Sequence, residues 1–145
     1  CLGLLDSRGI IFTGSTLHKT LTTTPGPYPN SLSDLYNSIS KLKKYPARYG
    51  LSGHGKIIPN VKEAISVNLR RLRWGEKSIL INLKKGFSSV DDIENELIRD
   101  DNPNWQRITR NAIIANLELL IDQGKVIRRG DDYLIKNNNH TDFRH

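Results

Sequence analysis

The chain has 145 residues, with 37% hydrophobic and 26% charged side chains, which suits one ordinary globular domain or two small ones and excludes a disordered tail. Its 22 Lys and Arg outnumber 15 Asp and Glu, a net charge of +7 that favours an anionic partner without requiring nucleic acid. A single cysteine excludes a disulfide scaffold and a cysteine-based zinc ribbon. No apolar run is long enough for a membrane-spanning helix, and no signal peptide is visible, so a cytoplasmic location is expected.

In chain order, residues 2–6 and 10–13 read as two short strands joined by a turn at Ser7-Arg8-Gly9. The Thr-, Pro- and Gly-rich stretch from Gly14 to Asn30 reads as a loop, because Pro25, Pro27 and Pro29 exclude a helix. Ser31 and Asp34 have the spacing of a capping box, and Leu32, Leu35, Ile39 and Leu42 give the following helix one apolar face. Pro46 ends it. Residues 48–52 read as a strand running into Gly53-His54-Gly55. Asn60 and Glu63 open a long helix to about Leu83. A third helix is expected from Ser88 or Ser89 to about Arg99, and a fourth from Trp105 to Gln123 with Gly124 just past its end. Two strands around Arg129-Gly130-Asp131-Asp132 complete a hairpin.

This order divides the chain into residues 1–59, residues 60–136 and a disordered tail, 137–145. The first segment carries seven basic and two acidic residues, the second 14 and 12. Three helices followed by a hairpin is the order of a winged-helix domain, an α+β unit whose second and third helices form a helix-turn-helix. Its expected core includes Ile79, Leu80, Leu83, Val90, Ile93, Leu97, Ile108, Ala112, Ala115, Leu119, Val126, Ile127, Leu134 and Ile135. Arg107, Arg110 and Asn111 on the last helix, with Arg128 and Arg129 on the hairpin, are the candidate nucleic-acid contacts. The acidic run Asp91, Asp92, Glu94, Glu96 weighs against tight phosphate binding.

Two short elements of the first segment carry chemistry. One is Ile11-Phe12-Thr13-Gly14-Ser15, a strand entering a glycine turn. The other is Leu51-Ser52-Gly53-His54-Gly55, a strand ending in a histidine between glycines. An imidazole so placed suits metal binding or proton transfer, and equally an ordinary surface turn. With Tyr36-Asn37-Ser38-Ile39-Ser40-Lys41-Leu42 between them, this order resembles the C-terminal portion of metallo-β-lactamase-fold hydrolases. Within them it is similar to the subgroup that ends in a winged helix, the mitochondrial β-lactamase-like endoribonuclease and related thioesterase-type enzymes. The likeness runs from about Leu4 to Ile135.

The resemblance implies the C-terminal half of an αββα sandwich with a two-zinc site at one sheet edge, acting on an ester, a thioester or an RNA phosphodiester. It assigns His54 as a metal ligand and places Ser15 where the family has a bridging aspartate. It also sets Thr22, Thr23 and Tyr28 on the substrate side. No H-x-H-x-D-H motif is present, and Cys1 in place of an initiator Met reads as the back end of a longer polypeptide. The expected partner is therefore the N-terminal half of the same fold, with no turnover by this chain alone. His18 is read as a loop side chain, with a replacement ligand as the alternative. Rival readings are a nucleic-acid-binding winged helix, a non-catalytic scaffold, and an enzyme using Cys1 as its nucleophile.

Overall fold

The computed structural model describes residues 4–19, 31–53, 56–98 and 103–136. Residues 20–30, His54 with Gly55, and residues 137–145 lie outside them, as does Cys1. The first strands are β1 (Leu4–Leu5) and β2 (Ile10–Gly14), followed by α1 (Ser31–Leu42) and β3 (Tyr49–Ser52). Then come α2 (Val61–Lys84), α3 (Val90–Leu97), α4 (Pro103–Asp122) and the hairpin β4 (Val126–Arg129) and β5 (Asp132–Ile135). Among the described residues no helix is long and apolar enough to cross a membrane.

β1 and β2 pair antiparallel, with Leu4 opposite Phe12 and Leu5 opposite Ile11. Their turn is held by Asp6, whose carboxylate accepts from the Arg8 backbone N–H and guanidinium and is thereby pulled down to a pKa of about 2. Gly9 at φ 79° supplies the left-handed step. β2 and β3 pair parallel, so the chain must cross over between them, and α1 lies in that crossover.

The alternation along β2 sends Ile11 and Thr13 inward and Phe12 outward. Ile11 joins Leu32, Ile39, Leu42, Ile58, Val61, Ile65 and Leu69 in a first core. This core also takes Ala115 and Leu119 from α4. A second core gathers Ile79, Ile93, Ile113, Leu117, Leu120, Val126 and Tyr133. Helices α2 and α4 thus serve both cores, and residues 4–58 do not close theirs without them. The reason is length. Twenty-four residues of α2 span about 36 Å, enough to line two adjoining clusters with one continuous apolar stripe.

Helix starts follow local chemistry. Asn60 accepts from the Glu63 N–H at 3.1 Å. Ser89 and Asp92 form a full capping box. Gly86 (φ 97°) and Gly124 (φ 68°) follow the ends of α2 and α4. Helix α4 begins at Pro103 rather than Trp105, since a proline fits the first turn, where its missing N–H has no partner to lose.

Several core expectations are corrected. Ala115 and Leu119 pack in the first cluster, because they sit on the flank of α4 facing α1 and the start of α2. Leu134 is exposed while Tyr133 is buried and Ile135 half-buried, because the period-two alternation of β5 turns Leu134 outward. Leu97 is exposed at the last turn of α3, where Ile98 already turns extended.

Candidate functional site

Because β2 and β3 are parallel, both end at the same sheet edge. The register slips there: Phe12 pairs with Leu51, then Gly14 with Ser52, so β2 spends an extra residue and bends. Past the slip, the Gly53 N–H donates to the Gly14 carbonyl at 2.8 Å, and Thr16 N–H donates to the Thr13 carbonyl at 3.0 Å. These bonds close the Thr13–Thr16 turn and carry exposed Ser15 at its tip. Both glycines are required. Gly14 has φ 53°, and a Cβ on Gly53 would lie 3.3 Å from the Gly14 carbonyl carbon. The two motif segments, 13–15 and 51–53, are therefore one structure. His54 itself lies outside the described residues, as do Thr22, Thr23 and Tyr28.

Behind the turn, Thr13 is buried and its hydroxyl donates to the Leu17 carbonyl at 3.0 Å. His18 is also buried. Its Nε2 lies 3.2 Å from the Ser15 carbonyl oxygen, which can only accept, so that nitrogen carries the proton. Its Nδ1 then accepts from the Ser52 hydroxyl at 2.8 Å. With both ring nitrogens so used, His18 staples the Ser15 turn to the end of β3. It is not poised as a replacement ligand. The His18 carbonyl accepts in turn from Asn68 Nδ2 at 2.9 Å, which ties the edge to α2. Sequence reasoning passed over Asn68. Its signal was a polar residue inside the buried stripe Ala64, Ile65, Asn68, Leu69, Leu72.

These donors were tested against a two-metal site. Ser15 presents a neutral hydroxyl where a bridging carboxylate is expected, and a hydroxyl binds divalent cations far more weakly. Among the described residues no group of three or more His, Cys, Asp or Glu could hold a metal ion. The described side chains do not fit a dinuclear centre.

The candidate nucleic-acid contacts lie elsewhere. Arg107 and Arg129 are exposed, and Asn111 is half-buried. Arg110 is bound to Asp91 at 2.7 Å and to Glu94 on α3, and these hydrogen bonds raise its pKa further. Arg128 folds back on the hairpin, donating to the Gly130 carbonyl at 2.8 Å with its guanidinium 5.6 Å from the Tyr133 ring centre. Two of the five are thus paired within the chain, Arg110 with the carboxylates of α3 and Arg128 within the hairpin.

A second polar hub joins the cores. Glu76 accepts from the Tyr36 hydroxyl at 2.5 Å and lies 3.9 Å from Lys125 Nζ. Burial, and then the hydrogen bond to that carboxylate, push the Tyr36 phenol well above its ordinary pKa.

Comparison with protein-family profiles finds no match, and neither does comparison with curated proteins. Solved structures do match. A metallo-beta-lactamase family protein from Thermus thermophilus superposes with a TM-score of 0.75 at 21% identity, over 88% of this chain and 42% of its own. A beta-lactamase domain protein from Burkholderia ambifaria gives 0.73 at 20% identity, over 92% of this chain and 43% of its own. The chain has a mixed α/β fold similar to metallo-β-lactamase-fold proteins and spans less than half the length of these two.

Proposed function

We propose that this chain is the C-terminal part of a metallo-β-lactamase-fold hydrolase with a winged-helix end, and that it acts only when joined to the other half of the sandwich. The observation that carries this is the uncovered face of the β1–β2–β3 sheet. By register, Leu4, Phe12 and Leu51 share that face with Ile10 and Tyr49. Leu4 is 70% exposed, Phe12 44% and Tyr49 48%. At roughly 25 cal/mol per Å² of apolar surface, leaving such a face in water forgoes several kcal/mol. In a sandwich, a second sheet would pack there. The neighbours, more than twice as long, have room for one.

The substrate class proposed is an ester, a thioester or an RNA phosphodiester. Zinc, when bound in such an enzyme, activates water and polarises the group attacked. Since the described donors do not fit a dinuclear centre, no hydrolytic step is assigned to them. This chain contributes the Gly14–Ser15 turn and the end of β3, locked together by His18. His54 is its one proposed ligand, and the other ligands belong to the N-terminal half.

The test is to extend the coding sequence in frame ahead of Cys1, express the longer protein and assay ester, thioester and RNA substrates with and without chelator. Chelator-sensitive hydrolysis by the extended protein, and none by this chain, is expected. An extension with no H-x-H-x-D-H and no hydrolysis would overturn the reading in favour of a scaffold. The order α2–α3–α4–hairpin supports a second reading, a winged-helix nucleic-acid module using exposed Arg107 and Arg129. The pairing of Arg110 with Asp91 and Glu94 weakens it.

A further inference from the structure

The outward arc of α2 is chemically unlike the rest of the surface. Positions 70, 71, 74, 77, 81, 84 and 85 fall on one side of the helix, and all are exposed: Arg70, Arg71, Trp74, Lys77, Ile81, Lys84 and Lys85. Trp74, 69% exposed, stands near the centre of this row. Between residues 70 and 85 the single acidic side chain is Glu76, which is turned away to Tyr36 and Lys125. From Arg70 to Lys84 the row runs about 21 Å.

Beside Trp74, α2 and α3 enclose a groove of about 420 Å³. Trp74, Ile81 and Leu97 give it apolar walls, and Asn82 lines it as well. The Asn82 amide donates to the Ser78 carbonyl at 3.0 Å, yet its Oδ1, buried with the rest of the side chain, has no hydrogen-bond partner. Glu96 also lines it, with its carboxylate held by Lys85 at 3.1 Å.

We propose that this face of α2 binds single-stranded nucleic acid. The Trp74 ring stacks on an unpaired base beside the apolar walls of the groove, Ile81 and Leu97. The phosphates track along Arg70, Arg71, Lys77 and Lys84. A tryptophan among cations supplies the two things such a strand needs, a stacking platform and charge neutralisation. A duplex keeps its bases stacked and offers Trp74 no free face. A membrane surface would require a continuous apolar stripe facing out, whereas the stripe of α2 is spent on the two cores and only Trp74 and Ile81 face outward. The inference stands apart from the hydrolase reading, since it uses no residue of the Ser15 edge.

The experiment measures binding of labelled 12-residue oligo(rA), oligo(rC) and oligo(rU) by anisotropy, with tryptophan fluorescence followed in parallel. Binding that quenches fluorescence is expected for all three oligomers, since stacking and phosphate contacts do not read the exocyclic groups. Its logarithm should fall with the logarithm of salt at a slope of about −2 to −3, for three to four phosphates. Trp74→Ala should weaken binding at least tenfold and remove most of the quenching, while Trp74→Phe restores most of the affinity. Lys77→Gln should lower the slope by about 0.7. Circular dichroism unchanged from the parent shows that each variant folds. Affinity unmoved by Trp74→Ala, or no binding at low salt, would overturn the proposal. So would tighter association with phosphatidylserine vesicles than with any oligomer.

Discussion

Gly75 on α2 lies against the Asn116 side chain of α4, and replacing it sets two effects of known size against each other. A Cβ there would lie 3.1 Å from Asn116 Oδ1 and 3.2 Å from Nδ2, a few tenths of an ångström inside contact. In an open helix, Gly→Ala gains about 1 kcal/mol. Here Asn116 must give way, but it is buried and its amide donates to the Ala112 carbonyl at 2.8 Å. Breaking that bond inside the protein costs about 1–3 kcal/mol. Gly75→Ala is therefore expected to destabilise by about 1 kcal/mol, the difference between those terms. In an Asn116→Ala background the obstruction is gone, and the same change should stabilise by about 1 kcal/mol. The coupling of about 2 kcal/mol is read from a four-member cycle of urea unfolding curves followed by circular dichroism. A Gly75→Ala variant that is more stable than the parent by itself would refute the reasoning, because Asn116 would then move freely.

Three further outcomes follow from the hydrogen bonds and the open sheet. The Tyr36 pKa is raised by folding, so its contribution to stability is complete below about pH 10, where the unfolded phenol is protonated, and fades as the pH rises beyond it. Tyr36→Phe should flatten that alkaline loss in thermal melts, and an unchanged alkaline slope would rule out the Tyr36 phenol as its source. Asn68→Ala leaves the buried His18 carbonyl without its donor and should cost about 1–3 kcal/mol in urea unfolding, whereas a neutral result would detach His18 from α2. Phe12→Lys on the uncovered sheet face should change stability by less than about 0.5 kcal/mol while lowering dye binding and self-association, and unaltered dye binding would show that the face is not the adhesive surface.

The elements were legible because their signals are local. Prolines, capping pairs and the three–four spacing of Leu32, Leu35 and Ile39 are read within one turn of chain, and so is the glycine turn before Ser15. The resemblance set Ser15 and His54 at one metal site, but it did not give the bond that joins that turn to Gly53. The staple His18–Ser52 and the anchor Asn68 span 34 and 50 positions, and such pairings leave no periodic trace. The placement of charge was not legible for a different reason. Averaged over residues 60–136, 14 basic and 12 acidic groups nearly cancel. The structure segregates them, with arginines and lysines along α2 and Asp91, Asp92, Glu94 and Glu96 on α3. The run Arg70-Arg71-Leu72-Arg73-Trp74 was visible, but only a helix axis tells which of its members share a side.

Because α2 threads both cores, its length acts as a gear ratio between them. One residue inserted between Leu72, which packs in the first core, and Ile79, which packs in the second, would turn the far half by about 100° and advance it by about 1.5 Å. Neither apolar stripe could then seat while the other did. The two ends of the molecule are free to diverge in side chains, but the stretch of α2 between them is held to a fixed residue count.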